Sequence, residues 1–299
     1  MTRTLGQADP VREVWVEAAV NGPWTRARQP KIPITVDEIV ADGIACARAG
    51  AAIVHVHPYD PATGLQREDP DVYQAIIDGI HAEVDAIVYP TLALLGDPNA
   101  ERPMSGAERF AAVAELCRRG KLEWTVVDPG SAHMTHRETP DEGFLYLNPD
   151  DHIRYGLDLA AAHAVRPAYA CYEPGITRLG ALLARARPEL PEPVYRFMFS
   201  DDLSFGFPPR EWALDAHVRL LEEVAPGSAW MVAGLCVDVT PLIPEAVGRG
   251  GHVRVGLEDQ PFGSAHTNVE LVSDAVTRIE KAGGRPATAA EVRAALAGR

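Results

Sequence analysis

The sequence predicts a (β/α)8 TIM barrel, and three observations carry that expectation. Short β-branched runs alternate with longer amphipathic stretches from one end of the chain to the other. Eight such runs, each with a helical stretch behind it, fit the length of 299 residues that an eightfold strand–helix barrel occupies. The first run is followed by VNGPWT, where a doubly wound sheet would normally carry a GxGxxG phosphate turn.

In chain order the strands are predicted over 13–20, 52–57, 86–90, 124–128, 167–172, 194–199, 229–233 and 253–257. Between the first two lies ITVDEIVADGIACARAG, which reads as a helix: Thr35 caps it, Asp37 and Glu38 favour its first turn, and Gly50 ends it. The stretches 128–149 and 200–209, punctuated by Pro and Gly, are expected as long loops after the fourth and sixth strands. In a barrel such loops face the active site. No linker, repeat or compositional shift divides the sequence, so one domain over 1–299 is expected.

Composition narrows the functional classes. Hydrophobic residues at 46% and charged residues at 23% exclude a disordered or fibrous chain. No apolar run approaches the ~18 residues of a membrane span, and the arginines near the start precede no apolar segment, so a cytoplasmic protein is expected. A net charge of −14 repels nucleic acid and acidic membranes, so any anionic ligand must be held by a few placed arginines. Cys46, Cys117, Cys171 and Cys236 stand singly, and buried, reduced thiols are the expected state.

Two segments carry chemistry. In AAIVHVHPYD, His55 and His57 alternate along a strand and therefore face the same way, about 6.6 Å apart at the backbone. At the C-terminal end of the second strand they can converge on a divalent metal, and neutral imidazoles suit zinc. In GGHVRVGLEDQP, Arg254, Gly256 and Glu258 share a parity if the last strand continues regularly, and Asp259 follows. A carboxylate there completes a two-His, one-acid set with an open position for substrate.

These residues resemble those of the β-keto acid cleavage enzymes, which include 3-keto-5-aminohexanoate cleavage enzyme. The similarity runs almost end to end through VNG, IPIT at Ile32 to Thr35, ARAGAAIVHVH, DPGS, GGHVRVGLED, TNVELV and GRPATAAEVRAAL. The resemblance implies a zinc enzyme that converts a β-keto acid and acetyl-CoA into a new acyl-CoA and acetoacetate, and a homo-oligomer, commonly a tetramer. His55, His57 and Glu258 are then the expected ligands of Zn2+, Asp259 the base, and Arg254 its partner at the reacting centre. Thr91, Trp24, Ser131 and Glu173 are the expected substrate contacts.

Departures from the family pattern concern the substrate tail. Trp24 and Ala170 stand where the aminohexanoate-cleaving enzyme carries glutamates, which argues for a tail that is not an amine. Val126 replaces a threonine, with Thr125 nearby, and Thr91 to Leu94 replace a glycine-rich turn. His133 and His136 are expected on a solvated loop, Asp201 and Asp202 in a turn, and Asp238 as a helix cap. Arg118, Arg119 and Lys121 are weighed as a CoA phosphate site against a basic helix end. Two other activities compete on the same barrel: an amidohydrolase-like metal hydrolase and a CoA-independent aldolase or lyase. The former usually recruits histidines from strands five and six, and PAYACYE and VYRFMFS contain none.

Overall fold

A computed structural model describes residues 11–95 and 104–298. The first ten residues, where the leader question arises, lie outside that range. Eight parallel strands form the barrel: β1 (Val16–Ala19), β2 (Ile53–Val56), β3 (Ile87–Pro90), β4 (Trp124–Val126), β5 (Arg166–Cys171), β6 (Val194–Phe199), β7 (Trp230–Gly234) and β8 (His252–Val255). The hydrogen-bonded ladder runs β3-β2-β1-β8-β7-β6-β5-β4. β3 and β4 lie side by side at the seam without joining it.

A helix follows every strand, as the alternating pattern requires: α1 (Val36–Arg48), α2 (Pro70–His81), α3 (Ala111–Arg118), α4 (Asp150–Ala162), α5 (Pro174–Arg185), α6 (Glu211–Val224), α7 (Ile243–Arg249) and α8 (Asn268–Lys281). The expected start of α1 is seen. Thr35 accepts from the Glu38 amide at 3.2 Å while Glu38 accepts from the Thr35 amide at 2.9 Å, closing a capping box. Gly50 follows with φ +118°, and a Cβ there would stand 2.9 Å from Val276 of α8. Asp238, expected as a helix cap, stands just before one: the N-cap of the 3-10 turn Thr240–Leu242 that leads into α7 is Val239, and Asp238 accepts from the Thr240 amide at 2.9 Å.

Three expectations are corrected. The run 13–20 is two strands rather than one, because Arg12–Val14 leaves the barrel to pair with Gly284–Pro286. The segment 128–149 is not a plain loop: Ala132–Met134 and Phe144–Tyr146 form an antiparallel hairpin over the barrel mouth. β8 stops at Val255, so strand parity does not carry Glu258 to the histidines. At Gly256 the chain turns with φ +153°, and its Cα lies so close to β1 that a Cβ would meet the Ala19 carbonyl oxygen at 2.0 Å.

The four cysteines are buried and unpaired, as expected. Among the described residues no helix is long and apolar enough to cross a membrane. Between β6 and α6 the core encloses His217, fully buried, stacked 4.7 Å from Phe197 and without a hydrogen-bond partner on either ring nitrogen. Burial lowers its pKa to about 4. Unfolding restores a value near 6.5, so the unfolded chain alone takes up a proton as pH falls from about 6.5 to 4. His217 therefore leaves stability intact above that window and erodes it within, by ~1.4 kcal/mol per pH unit while the proton uptakes differ. Urea unfolding across pH 4–6.5 should show His217→Leu flattening the dependence by about one proton; an unchanged slope would mean that the native imidazole is already charged.

Candidate active site

Two asparagines fix the backbone from which the site grows. Asn21, at the end of β1, accepts from the His57 amide at 2.9 Å and donates to the His57 carbonyl at 3.0 Å. Asn268, at the start of α8, accepts from the Leu257 amide at 2.8 Å and donates to the Val20 carbonyl at 2.7 Å. These bonds give VNG and TNVELV a part in the site beside the chemical motifs: each holds one side of it against β1. The turn at Gly256 is closed by the Asp259 amide on the Gly256 carbonyl, 3.1 Å, and the Glu258 amide donates to Ala19 at 3.2 Å.

Three side chains meet on this frame. Nitrogens of His55 and His57 and an oxygen of Glu258 all lie within 4.8 Å of one another, and all three residues are buried. Glu258 Oε2 stands 3.6 Å from His55 Nε2 and 3.5 Å from His57 Nε2. The hairpin Tyr59–Asp60/Leu65–Gln66 sets the orientation of His57: Gln66 Oε1 is 2.8 Å from its Nδ1, which turns Nε2 toward Glu258. Burial holds His55 well below its ordinary pKa, so it is neutral and able to ligate. Burial opposes ionisation of Glu258, but Arg254 and the two imidazoles outweigh it and hold the carboxyl well below the usual range.

A dication fits this set. His57 Nε2 and Glu258 Oε2 are buried without a hydrogen-bond partner, an arrangement that is costly unless a further group is shared. Two imidazoles and one carboxylate are also a catalytic zinc donor set that leaves a position open.

Behind the trio lies a buried ionic network. Arg254 grips Asp259 with Nε–Oδ2 at 3.0 Å and Nη2–Oδ1 at 2.7 Å, reaches Glu258 at 2.8 Å and donates to Glu17 at 3.1 Å. Glu17 also accepts from Tyr89 at 2.6 Å and stands 3.7 Å from Arg196, which in turn lies 3.8 Å from Asp128. The four carboxylates in this network outnumber its two guanidiniums, leaving a negative surplus of the size a dication balances. Burial raises Asp259 to about 6, against the pull of Arg254, and raises Asp128 as well.

The trio opens into a cavity of about 410 Å³ at the C-terminal ends of the strands. Trp24 and Thr91 line it, as do Val126 and Ala170, and Trp24 is anchored by its Nε1 donating to the Glu258 carbonyl at 2.8 Å. Ser131 and Glu173 do not line it. Ser131 Oγ accepts from the Asn148 amide at 2.8 Å to fasten the hairpin, and Glu173 accepts from the Gly206 amide at 3.0 Å. Asp259 stands behind Arg254 rather than on the cavity wall.

Other expected contacts resolve as structural pairs. Arg118 and Arg119 bind Glu115, and Lys121 binds Asp78, so these cations form a helix end and not a phosphate site. Asp202 binds His136 at 2.8 Å, Asp201 binds Arg210 at 3.0 Å, and His133 is exposed on the hairpin. Sequence reasoning missed Glu17, Asp128, Arg196 and Gln66. A signal existed for the first and third, since each is a charge inside an otherwise apolar strand run, VWVEAAV and VYRFMF.

A parallel barrel with its chemistry at the C-terminal mouth defines an enzyme of the (β/α)8 class. Residues 13–297 match the beta-keto acid cleavage enzyme family, and the chain belongs to it. A 3-dehydrocarnitine:acetyl-CoA trimethylamine transferase of Rhizobium meliloti (strain 1021) is 29% identical, over 95% of this chain and 96% of that protein. A 3-oxoadipate:acetyl-CoA acetyltransferase of Cupriavidus necator is 26% identical, over 94% and 93%. Among solved structures, apo ObcA superposes with a TM-score of 0.71 at 22% identity, covering 91% of this chain and 66% of that one, just under two thirds of its length; this likeness is one of fold.

Removing Glu17 would take from Arg254 an acceptor at 3.1 Å, from Arg196 a carboxylate at 3.7 Å and from the Tyr89 hydroxyl its acceptor at 2.6 Å, all in a buried setting. Glu17→Ala should cost about 3–5 kcal/mol of unfolding free energy in urea titration. A loss below about 1 kcal/mol, the size of a surface pair, would show that the remaining carboxylates suffice.

Proposed function

We propose that this protein exchanges acyl groups between a β-keto acid and acetyl-CoA, giving acetoacetate and a new acyl-CoA, with Zn2+ held by His55, His57 and Glu258. The observation that carries the reading is the buried two-imidazole, one-carboxylate trio at the floor of an apolar-walled cavity, in a chain of this family. When bound there, zinc supplies a Lewis acid for the keto and carboxylate oxygens of the substrate.

The chain's own residues do the rest. Arg254 presents a guanidinium to the cavity and can take the substrate carboxylate or a developing oxyanion. Asp259, raised to about 6, has the affinity of a general base near neutrality. Because it stands behind Arg254, it acts as a base only as Arg254 releases it, and an arriving carboxylate competes for that guanidinium. The proton lost from the substrate's C2 passes to the Asp259 carboxylate; the carbanion attacks the acetyl thioester and forms the bond that becomes acetoacetate C2–C3. The displaced CoA thiolate then attacks the substrate's C3 carbonyl and takes up the acyl group as the original C2–C3 bond breaks, and the carbanion left at C2 recovers the proton from Asp259 to give acetoacetate. Asp259→Asn should lower kcat by ~100-fold or more while the protein keeps its metal. Unchanged turnover would move the base elsewhere.

The walls favour a tail without an ammonium group. Trp24, Met134, Phe144, Met198 and Leu235 are apolar, and both oxygens of Asp128 are occupied, by the Ala170 amide and the Tyr146 hydroxyl, each at 2.7 Å. A cationic tail there would have to share Asp128, already engaged on both oxygens, and burying a cation without a full partner costs several kcal/mol. A panel of β-keto acids, assayed for acetoacetate with and without acetyl-CoA, tests both claims. Acetoacetate should form only with acetyl-CoA, and kcat/KM should be higher for an uncharged chain than for a 5-amino chain of equal length. Acetyl-CoA-independent cleavage would contradict the exchange, and preference for the amine would contradict the tail.

A further inference from the structure

The two guanidiniums inside the cavity are matched by carboxylates, but its rim carries a cation that is not. Arg196 and Arg254 spend their guanidiniums on Glu17, Asp128, Glu258 and Asp259. Arg28 also lines the cavity, is exposed, and has no carboxylate partner among the described residues. Its neighbour Arg26 is paired with Glu38 at 2.7 Å. In a chain of net charge −14, an arginine left unpaired at the mouth of the reaction cavity stands out.

The platform beneath Arg28 is built. The Gly263 amide donates to the Arg28 carbonyl at 2.9 Å. The adjacent buried Gln29 donates to the Leu257 carbonyl at 3.1 Å and accepts from the Ser264 amide at 3.0 Å. The loop after β1 is thereby fastened to the loop after β8, the one that delivers Glu258. On this platform the Arg28 guanidinium lies 5.4 Å from the centre of the Phe262 ring, and Phe262 meets Trp24 edge-on at 4.9 Å. A cavity of about 410 Å³ has room for a keto acid and the acyl end of a pantetheine arm. It does not have room for a whole coenzyme A, so the phosphate-bearing nucleotide must stay at the rim.

We propose that Arg28, backed by Phe262 and Trp24, binds a phosphate of the CoA thioester at the cavity mouth. The inference rests on the acyl-exchange reading above. A guanidinium makes charge-assisted, often bidentate bonds to phosphate oxygens. A cation at the mouth also offsets the repulsion that an acidic protein exerts on a polyanionic ligand. The distal carboxylate of a dianionic β-keto acid offers similar chemistry, and the test separates the two.

Arg28→Gln and the unsubstituted protein are compared with acetyl-CoA and with S-acetyl-N-acetylcysteamine, a thioester without phosphate, and CoA binding is measured by calorimetry. Arg28→Gln should raise KM for acetyl-CoA about tenfold, a change of ~1.4 kcal/mol, while kcat at saturation stays within about twofold. Only acetyl-CoA should show the rise, and its kcat/KM should become less sensitive to salt. An unchanged KM for acetyl-CoA overturns the proposal, as does an equal loss with both thioesters. A loss confined to a keto acid bearing a second carboxylate assigns Arg28 to the substrate tail instead. If the unsubstituted protein binds no CoA, the exchange reading falls with the proposal; if both proteins bind CoA equally, only the proposal falls.

Discussion

Everything at the mouth of this barrel follows from the burial of Glu258 beside two imidazoles and a guanidinium. A carboxylate removed from water is costly unless charge and hydrogen bonds replace the lost hydration. Arg254 supplies one partner and is itself held by Asp259 and Glu17. That arrangement spreads the problem rather than ending it, because every added arginine brings further acids with it. The network stays negative, and two of its carboxyls, Asp128 and Asp259, are pushed upward. A divalent cation at the trio would relieve the surplus and engage the buried atoms that lack partners.

The surrounding fold serves that constraint. Asn21 and Asn268 spend their side chains on backbone groups of the very turns that carry His57 and Glu258. Gly256 lets the last strand break off against β1, at a distance no side chain would permit. The hairpin after β2 places Gln66 on the far side of His57. Chemistry at the floor is therefore held by the strand ends and the turns tied to them, while Trp24 and Arg28, from the loop after β1, and Phe144, from the hairpin after β4, face the rest of the cavity. Floor and walls can thus differ in composition independently.

Much of this was legible in the sequence, and the remainder was hidden for physical reasons. The eight β-branched runs and the cap at Thr35 are local signals, and local signals survive folding. His55 and His57 were readable because alternation on a strand fixes their common face. Glu258 was readable as a residue but not by its route, since a turn at Gly256 and not strand parity brings it to the histidines. Glu17 and Arg196 lie on strands whose neighbours in space are remote in sequence, so their pairing with Arg254 has no local signature. Ser131 and Glu173 were drawn in by motif position, yet their side chains are consumed by the backbone of nearby loops.

X-ray absorption at the metal edge of the purified protein tests the central claim most directly, because it reads the donor atoms around the ion itself. The expected spectrum shows zinc with nitrogen and oxygen scatterers only, at about 2.0–2.2 Å, with the outer-shell pattern of two imidazoles. Sulfur in the coordination shell, an imidazole-free shell, or protein that holds no stoichiometric metal would contradict the assignment of His55, His57 and Glu258.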